Sequence, residues 1–66
     1  MTELENAERF VNQGRNLVTE QREKVRLLKA AGRTTYDAEQ ELRLFEDSLA
    51  VFEEHLASLQ PRPPNP

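Results

Sequence analysis

Apolar residues recur at alternating three- and four-residue steps along two long stretches of the chain. This spacing predicts two helices, each with a stripe that packs along its whole length against another helix. The first stripe comprises Leu4, Ala7, Val11, Gly14, Val18, Gln21, Val25 and Leu28, with a glycine and a glutamine at two of its positions. The second stripe comprises Ala38, Leu42, Phe45, Leu49, Phe52, Leu56 and Leu59.

Residues at the ends of both stripes predict where the helices begin and end. Thr2 can cap the first helix, and Gly32 can supply the left-handed residue that ends it. Thr34 and Asp37 resemble a capping box at the start of the second helix, which Pro61 is expected to end.

Together these signals predict an all-α domain at residues 1–60, a two-helix antiparallel hairpin. Its helices should span about 3–31 and about 35–60, joined by a loop at 32–34. Residues 61–66 contain all four prolines of the chain and are expected to form a disordered tail.

Folding the chain back at Gly32 places the two stripes side by side in reverse order. The predicted pairs of this hairpin seam are Leu28–Ala38, Val25–Leu42, Gln21–Phe45, Val18–Leu49, Gly14–Phe52, Val11–Leu56 and Ala7–Leu59. Glycine inside a helix costs roughly 1 kcal/mol relative to alanine. We therefore interpret Gly14 as leaving room for the ring of Phe52.

Charge is distributed in the same antiparallel sense. Residues 22–33 are mainly basic and residues 37–47 mainly acidic, and the hairpin lays these segments side by side. Each exposed ion pair stabilises by only about 0.2–1 kcal/mol, so we expect the pairs chiefly to favour antiparallel packing.

Composition narrows the class of protein. The chain has 66 residues, a net charge of −3, a sequence pI near 5.1 and no cysteine. The acidic balance argues against a general binder of nucleic acids or anionic membranes, and no apolar run is long enough to span a membrane. We therefore expect a cytoplasmic protein. Because one seam rarely stabilises so short a chain, we also expect association.

A second, weaker apolar stripe remains on each helix after the seam is assigned. Its members, the candidate oligomer interface, are Phe10, Leu17, Leu27, Leu44 and Val51. They could simply widen the core of the hairpin, or contact a different protein. The preferred prediction is that two hairpins associate through them into a homodimeric four-helix bundle.

The residues that could carry chemistry do not form a recognisable site. His55 is a candidate for phosphotransfer or acid–base work, but the residues after it lack the pattern of sensor-kinase histidines. Adjacent carboxylates such as Glu53 and Glu54 diverge by about 100° on a helix and cannot converge on one proton or metal. We therefore predict no enzymatic activity, no cofactor, and no catalytic or metal-binding residues.

Two functions remain open at this point. The first is a non-enzymatic module for protein–protein interaction or structure, built as a homodimeric hairpin. The alternative is a small regulatory protein that binds another protein or, with less support, nucleic acid through the basic segment Arg22–Arg33.

Several short segments resemble a group of short alphaproteobacterial proteins of unknown function, especially from rhizobia. The resemblance covers most of residues 7–59. It is carried by Ala7-Glu8, Gly14, Gln21-Arg22, Leu28, Gly32-Arg33-Thr34-Thr35, Ala38-Glu39, Phe45-Glu46-x-Ser48-Leu49, His55 and Leu59. It implies a bacterial cytoplasmic helical hairpin and no catalytic activity.

Overall fold

The computed structural model describes residues 2–60 and confirms the predicted helical hairpin. Helix α1 spans Glu3–Ala30 and helix α2 spans Tyr36–Leu59, and the two pack against each other in antiparallel orientation. Both helices lie within the predicted ranges. The predicted tail at 61–66 lies outside the described residues.

The start of α1 is held by a reciprocal capping box. The backbone N–H of Glu5 donates to the Thr2 hydroxyl at 3.1 Å, and the Glu5 carboxylate accepts from the Thr2 backbone N–H at 3.4 Å. These bonds satisfy donors that the first turn of a helix leaves without partners. The predicted Thr2 cap is therefore confirmed.

The end of α1 is a Schellman turn around Gly32. The N–H of Gly32 donates to the carbonyl of Lys29 at 3.0 Å, and the N–H of Arg33 donates to that of Leu28 at 2.9 Å. Gly32 has φ +69°, a left-handed conformation that costs other L-residues about 1–2 kcal/mol. The predicted helix stop is confirmed.

The predicted capping box at the start of α2 is wrong. The N-cap is Thr35, whose side chain makes no capping hydrogen bond. An N-cap side chain normally reaches the third helical N–H from an extended backbone, whereas Thr35 has φ −113° and ψ 0°. At the other end, Gln60 is extended, as expected for the residue that precedes Pro61.

Burial along the seam is uneven between the two helices. On α1 the buried residues are Ala7, Val11, Gly14, Val18, Gln21 and Val25. On α2 only Ala38 is buried, while its larger seam residues Leu42, Phe45, Leu49, Leu56 and Leu59 are half-buried, as are Leu4 and Leu28 on α1. The two-helix packing therefore encloses small side chains and leaves the large ones partly in contact with water.

The residue packed on Gly14 is not the predicted one. A Cβ atom at Gly14 would have Leu49 atoms as its three nearest neighbours, at 3.1, 3.7 and 3.8 Å. Phe52 instead lies at the edge of the seam, 38% exposed. Side chains of facing helices interdigitate rather than meet head-on, which moves the contact by three residues along α2. The glycine does permit a close approach, but to Leu49.

Candidate interaction surface

One face of the hairpin carries a ladder of three ion pairs between the helices. The pairs of this charge ladder are Arg15–Glu53 at 3.3 Å, Arg22–Glu46 at 3.0 Å and Lys29–Glu39 at 3.2 Å. The residues advance by seven along α1 and go back by seven along α2. That spacing is the register of an antiparallel heptad pair.

The charge ladder confirms the predicted alignment of basic and acidic segments and extends it to Arg15 and Glu53. Both residues fall outside the segments identified by composition. Their signal was present in the sequence, because Arg15 lies seven residues before Arg22 and Glu53 lies seven residues after Glu46.

Gln21 is the one buried polar side chain in the described part of the seam. Its Nε2 donates to the backbone carbonyl of Ala38 at 2.9 Å and to the Glu41 carboxylate at 3.3 Å. The amide thus joins the middle of α1 to the first turns of α2 near the loop. This bond specifies which part of α2 lies beside Gln21.

The opposite face of the hairpin is apolar. Phe10 and Leu17 on α1 are 50% and 46% exposed, and Leu44 and Val51 on α2 are 65% and 62% exposed. The residues of each pair are seven apart, so they lie on the same side of their helix. These four residues are called the apolar face below.

The positions of Phe10, Val51 and Arg15 establish that the apolar face and the charge ladder are on opposite sides. Phe10 and Val51 line the same groove, which places the exposed apolar pair of each helix on the same side of the hairpin. Arg15 is two residues before Leu17, and two residues correspond to about 200° around a helix. The seam thus separates the two faces.

The groove lies at the open end of the hairpin, away from the loop. It has a volume of about 480 Å³ and is lined by Glu3, Asn6, Ala7, Phe10, Val51, Phe52 and His55. The rings of Phe10 and Phe52 stack with their centroids 5.7 Å apart, a favourable aromatic geometry. The groove therefore has an apolar wall with polar groups at its rim.

Leu27 stands apart from the other candidate interface residues. It is 54% exposed and ten residues after Leu17, which places it about 80° further round α1. It is therefore an isolated exposed leucine rather than part of the apolar face. Isolated exposed apolar residues are ordinary on protein surfaces.

His55 lies at the rim of the groove, with its Nε2 atom 3.8 Å from the carboxylate of Glu3. Both side chains are more than half exposed, so this contact is a weak one. Within residues 2–60, no group of three or more acidic, histidine or cysteine side chains is placed to hold a metal ion. His55 is a rim residue of the groove.

Glu23 and Arg26 form an ion pair within α1, on the exposed surface. The hydrogen bond from the Arg26 guanidinium lowers the pKa of Glu23 below its ordinary value of 4.5 and raises the pKa of Arg26. Because folding lowers the Glu23 pKa, the pair stabilises the fold at pH values above the ordinary pKa of a glutamate. That contribution disappears as the pH falls through the lowered pKa.

Comparison with known proteins gives no relative from which a role could be transferred. No protein-family model, curated protein or solved structure matches the chain. Neither described helix is long and apolar enough to cross a membrane. The resemblance to alphaproteobacterial hairpin proteins stays a prediction.

Proposed function

We propose that this chain is a non-enzymatic interaction protein of the bacterial cytoplasm. A second copy covers its apolar face, and the two hairpins form a four-helix bundle. The observation that carries the proposal is the exposure of Phe10, Leu17, Leu44 and Val51 on one side of the hairpin.

The poor burial within the hairpin supports association. The buried apolar residues of the described chain are two alanines on the seam ends and three valines between them, and only Val11 among the larger side chains is below 2% exposure. The leucines and phenylalanines of α2 are half-buried or exposed. Covering them removes apolar area from water, which stabilises by about 25 cal/mol per Å². A second hairpin supplies such a cover along the whole length of both helices.

The placement of the charge ladder also supports this arrangement. The charge ladder pairs basic and acidic side chains on one face of the hairpin. That face stays in water when a second copy covers the apolar face. A four-helix bundle of this kind has an apolar interior and a charged exterior.

The alternative of a nucleic-acid site on Arg22–Arg33 has less support. Arg22 and Lys29 pair with carboxylates of α2, and Arg26 pairs with Glu23. Phosphate contacts to these three basic residues would have to replace their pairs close to other acidic side chains, at a cost in electrostatic energy. A different protein partner on the apolar face is the outcome that applies if the chain remains monomeric.

Two matched double variants test the proposal by sedimentation equilibrium. Phe10→Ser with Val51→Ser removes apolar area from the apolar face and should raise the dissociation constant of the dimer by at least about tenfold, with the helices retained in circular dichroism. Arg22→Ser with Glu46→Ser removes one ladder pair on the opposite face and should leave the dissociation constant within about threefold of wild type. Equal effects of the two double variants would contradict an interface on the apolar face.

A further inference from the structure

Along the apolar face, the exposed residues of each helix follow a pattern that reads the same in both directions, with apolar residues between polar ones. At seven-residue steps, α1 presents Glu3, Phe10, Leu17 and Lys24, and α2 presents Asp37, Leu44, Val51 and Ser58. Each series has two apolar residues in the middle and polar or charged residues at its ends. A helix with such a series can pair with an antiparallel copy of itself.

Antiparallel pairing of α1 with α1 of a second copy matches every position of its series. Phe10 then faces Leu17 of the second copy, and Glu3 faces Lys24, twice by symmetry. Lys24 makes no ion pair within residues 2–60, and Glu3 has only its 3.8 Å contact with His55 in the same range. On α2 the same operation places Leu44 opposite Val51.

We infer that the two hairpins dock with the loop of each at the open end of the other, α1 beside α1 and α2 beside α2. This arrangement rests on the proposed dimer. It gives the groove an occupant, because Leu17 and Leu44 of the second copy lie opposite its wall of Phe10, Val51 and Phe52.

The competing arrangement has both loops at the same end and pairs α1 with α2 of the second copy. Lys24 would then face Asp37, so charge alone does not distinguish the two arrangements. Shape does, because the two grooves would face each other and leave space between them. Protein interfaces pack as densely as protein interiors, which disfavours two facing concave surfaces.

A distance between the two loops separates these arrangements. The chain contains no cysteine, so Arg33→Cys provides a single site in the loop for a spin label and pulsed electron paramagnetic resonance. Helix α1 has 28 residues, so loops at opposite ends should lie about 40 Å or more apart. Loops at the same end would lie within about 25 Å, since packed helices are about 10 Å apart, and this result would overturn the inference.

The outcome for the dimer itself is read separately. Light scattering on the labelled protein at the same concentration reports whether a dimer forms. A monomeric mass with no dipolar coupling would overturn the proposed function, and the inference with it. A dimeric mass with a short distance would overturn only the arrangement.

A charge swap gives a second, independent test. Glu3→Lys or Lys24→Glu alone places like charges together and should weaken the dimer by roughly two- to fivefold, whereas the double swap should restore the wild-type dissociation constant. Glu8→Lys makes the same charge change on the side of α1 that carries the charge ladder and serves as the matched control, with a smaller effect expected. If the double swap gave a dimer with a larger dissociation constant than either single variant, the pairing of Glu3 with Lys24 would be overturned.

Discussion

Gly14 packs against Leu49, which would supply the three nearest atoms to a Cβ added at the glycine. The Leu49 atom nearest to such a Cβ, at 3.1 Å, is Cδ1 at the flexible end of the side chain. The Cβ and Cα atoms of Leu49 are farther from it, at 3.7 and 3.8 Å. A single methyl group therefore displaces only a flexible group. A larger side chain at Gly14 would also meet the Cβ and Cα atoms of Leu49, which cannot move aside as easily.

Substitution of Gly14 should depend on size. Gly14→Ala gains helix propensity of about 1 kcal/mol and displaces one methyl group of Leu49, so its free energy of unfolding should stay within about 1 kcal/mol of wild type. Gly14→Leu should lose about 1–3 kcal/mol, because the added atoms meet the Leu49 backbone region. Urea unfolding at one fixed protein concentration measures both variants.

The matched control for Gly14→Leu is Gln13→Leu, at the exposed neighbouring position. It should change the free energy of unfolding by less than about 0.5 kcal/mol. An equal loss in both leucine variants would mean that the close contact at Gly14 is not the cause.

Gln21 offers a test of a buried hydrogen bond. Gln21→Glu has nearly the same shape but replaces the donor by an oxygen that faces the Ala38 carbonyl and the Glu41 carboxylate, so it should cost about 2 kcal/mol at neutral pH. Gln21→Leu removes the donor without adding a charge, and the Ala38 carbonyl can still accept a backbone hydrogen bond within α2. This variant should therefore cost less than about 1 kcal/mol. If Gln21→Leu were the more damaging of the two, the hydrogen bond would be important for a reason other than the charge placed beside it.

At the scale of the helices, the two N-termini differ although both are preceded by threonine. Thr2 is extended and exchanges hydrogen bonds with Glu5, whereas Thr35 has ψ 0° and caps nothing. Composition cannot separate the two cases, because the backbone angle of a cap residue depends on how the loop enters the helix. The capping box predicted at Thr34 failed for that reason.

This difference predicts unequal effects of the same substitution. Thr2→Ala should reduce the free energy of unfolding by about 1 kcal/mol, the usual value for an N-cap hydroxyl. Thr35→Ala should reduce it by less than about 0.5 kcal/mol, because no capping bond is lost. Thermal unfolding followed by circular dichroism compares the two, and a larger loss in Thr35→Ala would contradict the structure of this loop.

Gly32 allows a pure test of backbone conformation. An added Cβ would meet nothing within 4 Å, so a substitution there changes only the cost of the positive φ. Gly32→Ala should lose about 1–2 kcal/mol, and Gly32→Asn should lose less, because asparagine tolerates the left-handed region. Chemical denaturation measures both, and equal stability of wild type and Gly32→Ala would show that the loop can adopt another turn.

At the scale of the whole molecule, the antiparallel hairpin was predictable from the sequence, whereas the residue that packs on Gly14 was not. The alternating steps of the seam and the glycine stop are local signals that agree, so they determine two antiparallel helices. The contact of Gly14 with Leu49 depends on how side chains interdigitate across the seam, which pairing by position cannot resolve. The heptad spacing of Arg15, Arg22 and Lys29 opposite three glutamates is the sequence feature that identifies this register.

The apolar face was also predictable in part. Phe10, Leu17, Leu44 and Val51 stand at helical spacing in the sequence, and the structure leaves them exposed on one side of the hairpin. The groove beside Phe10 and Phe52 was not foreseen, because it depends on Phe52 lying at the edge of the seam rather than above Gly14. Exposure of this face is the reason that a partner is expected.

Self-association of the hairpin is tested most directly by the solution mass of the unmodified chain, measured by static light scattering over a range of concentrations. A homodimer predicts a mass that rises with concentration from the 7.7 kDa of one chain towards twice that value. A mass that stays at 7.7 kDa at every concentration would contradict self-association. The apolar face would then be a candidate binding surface for a different protein.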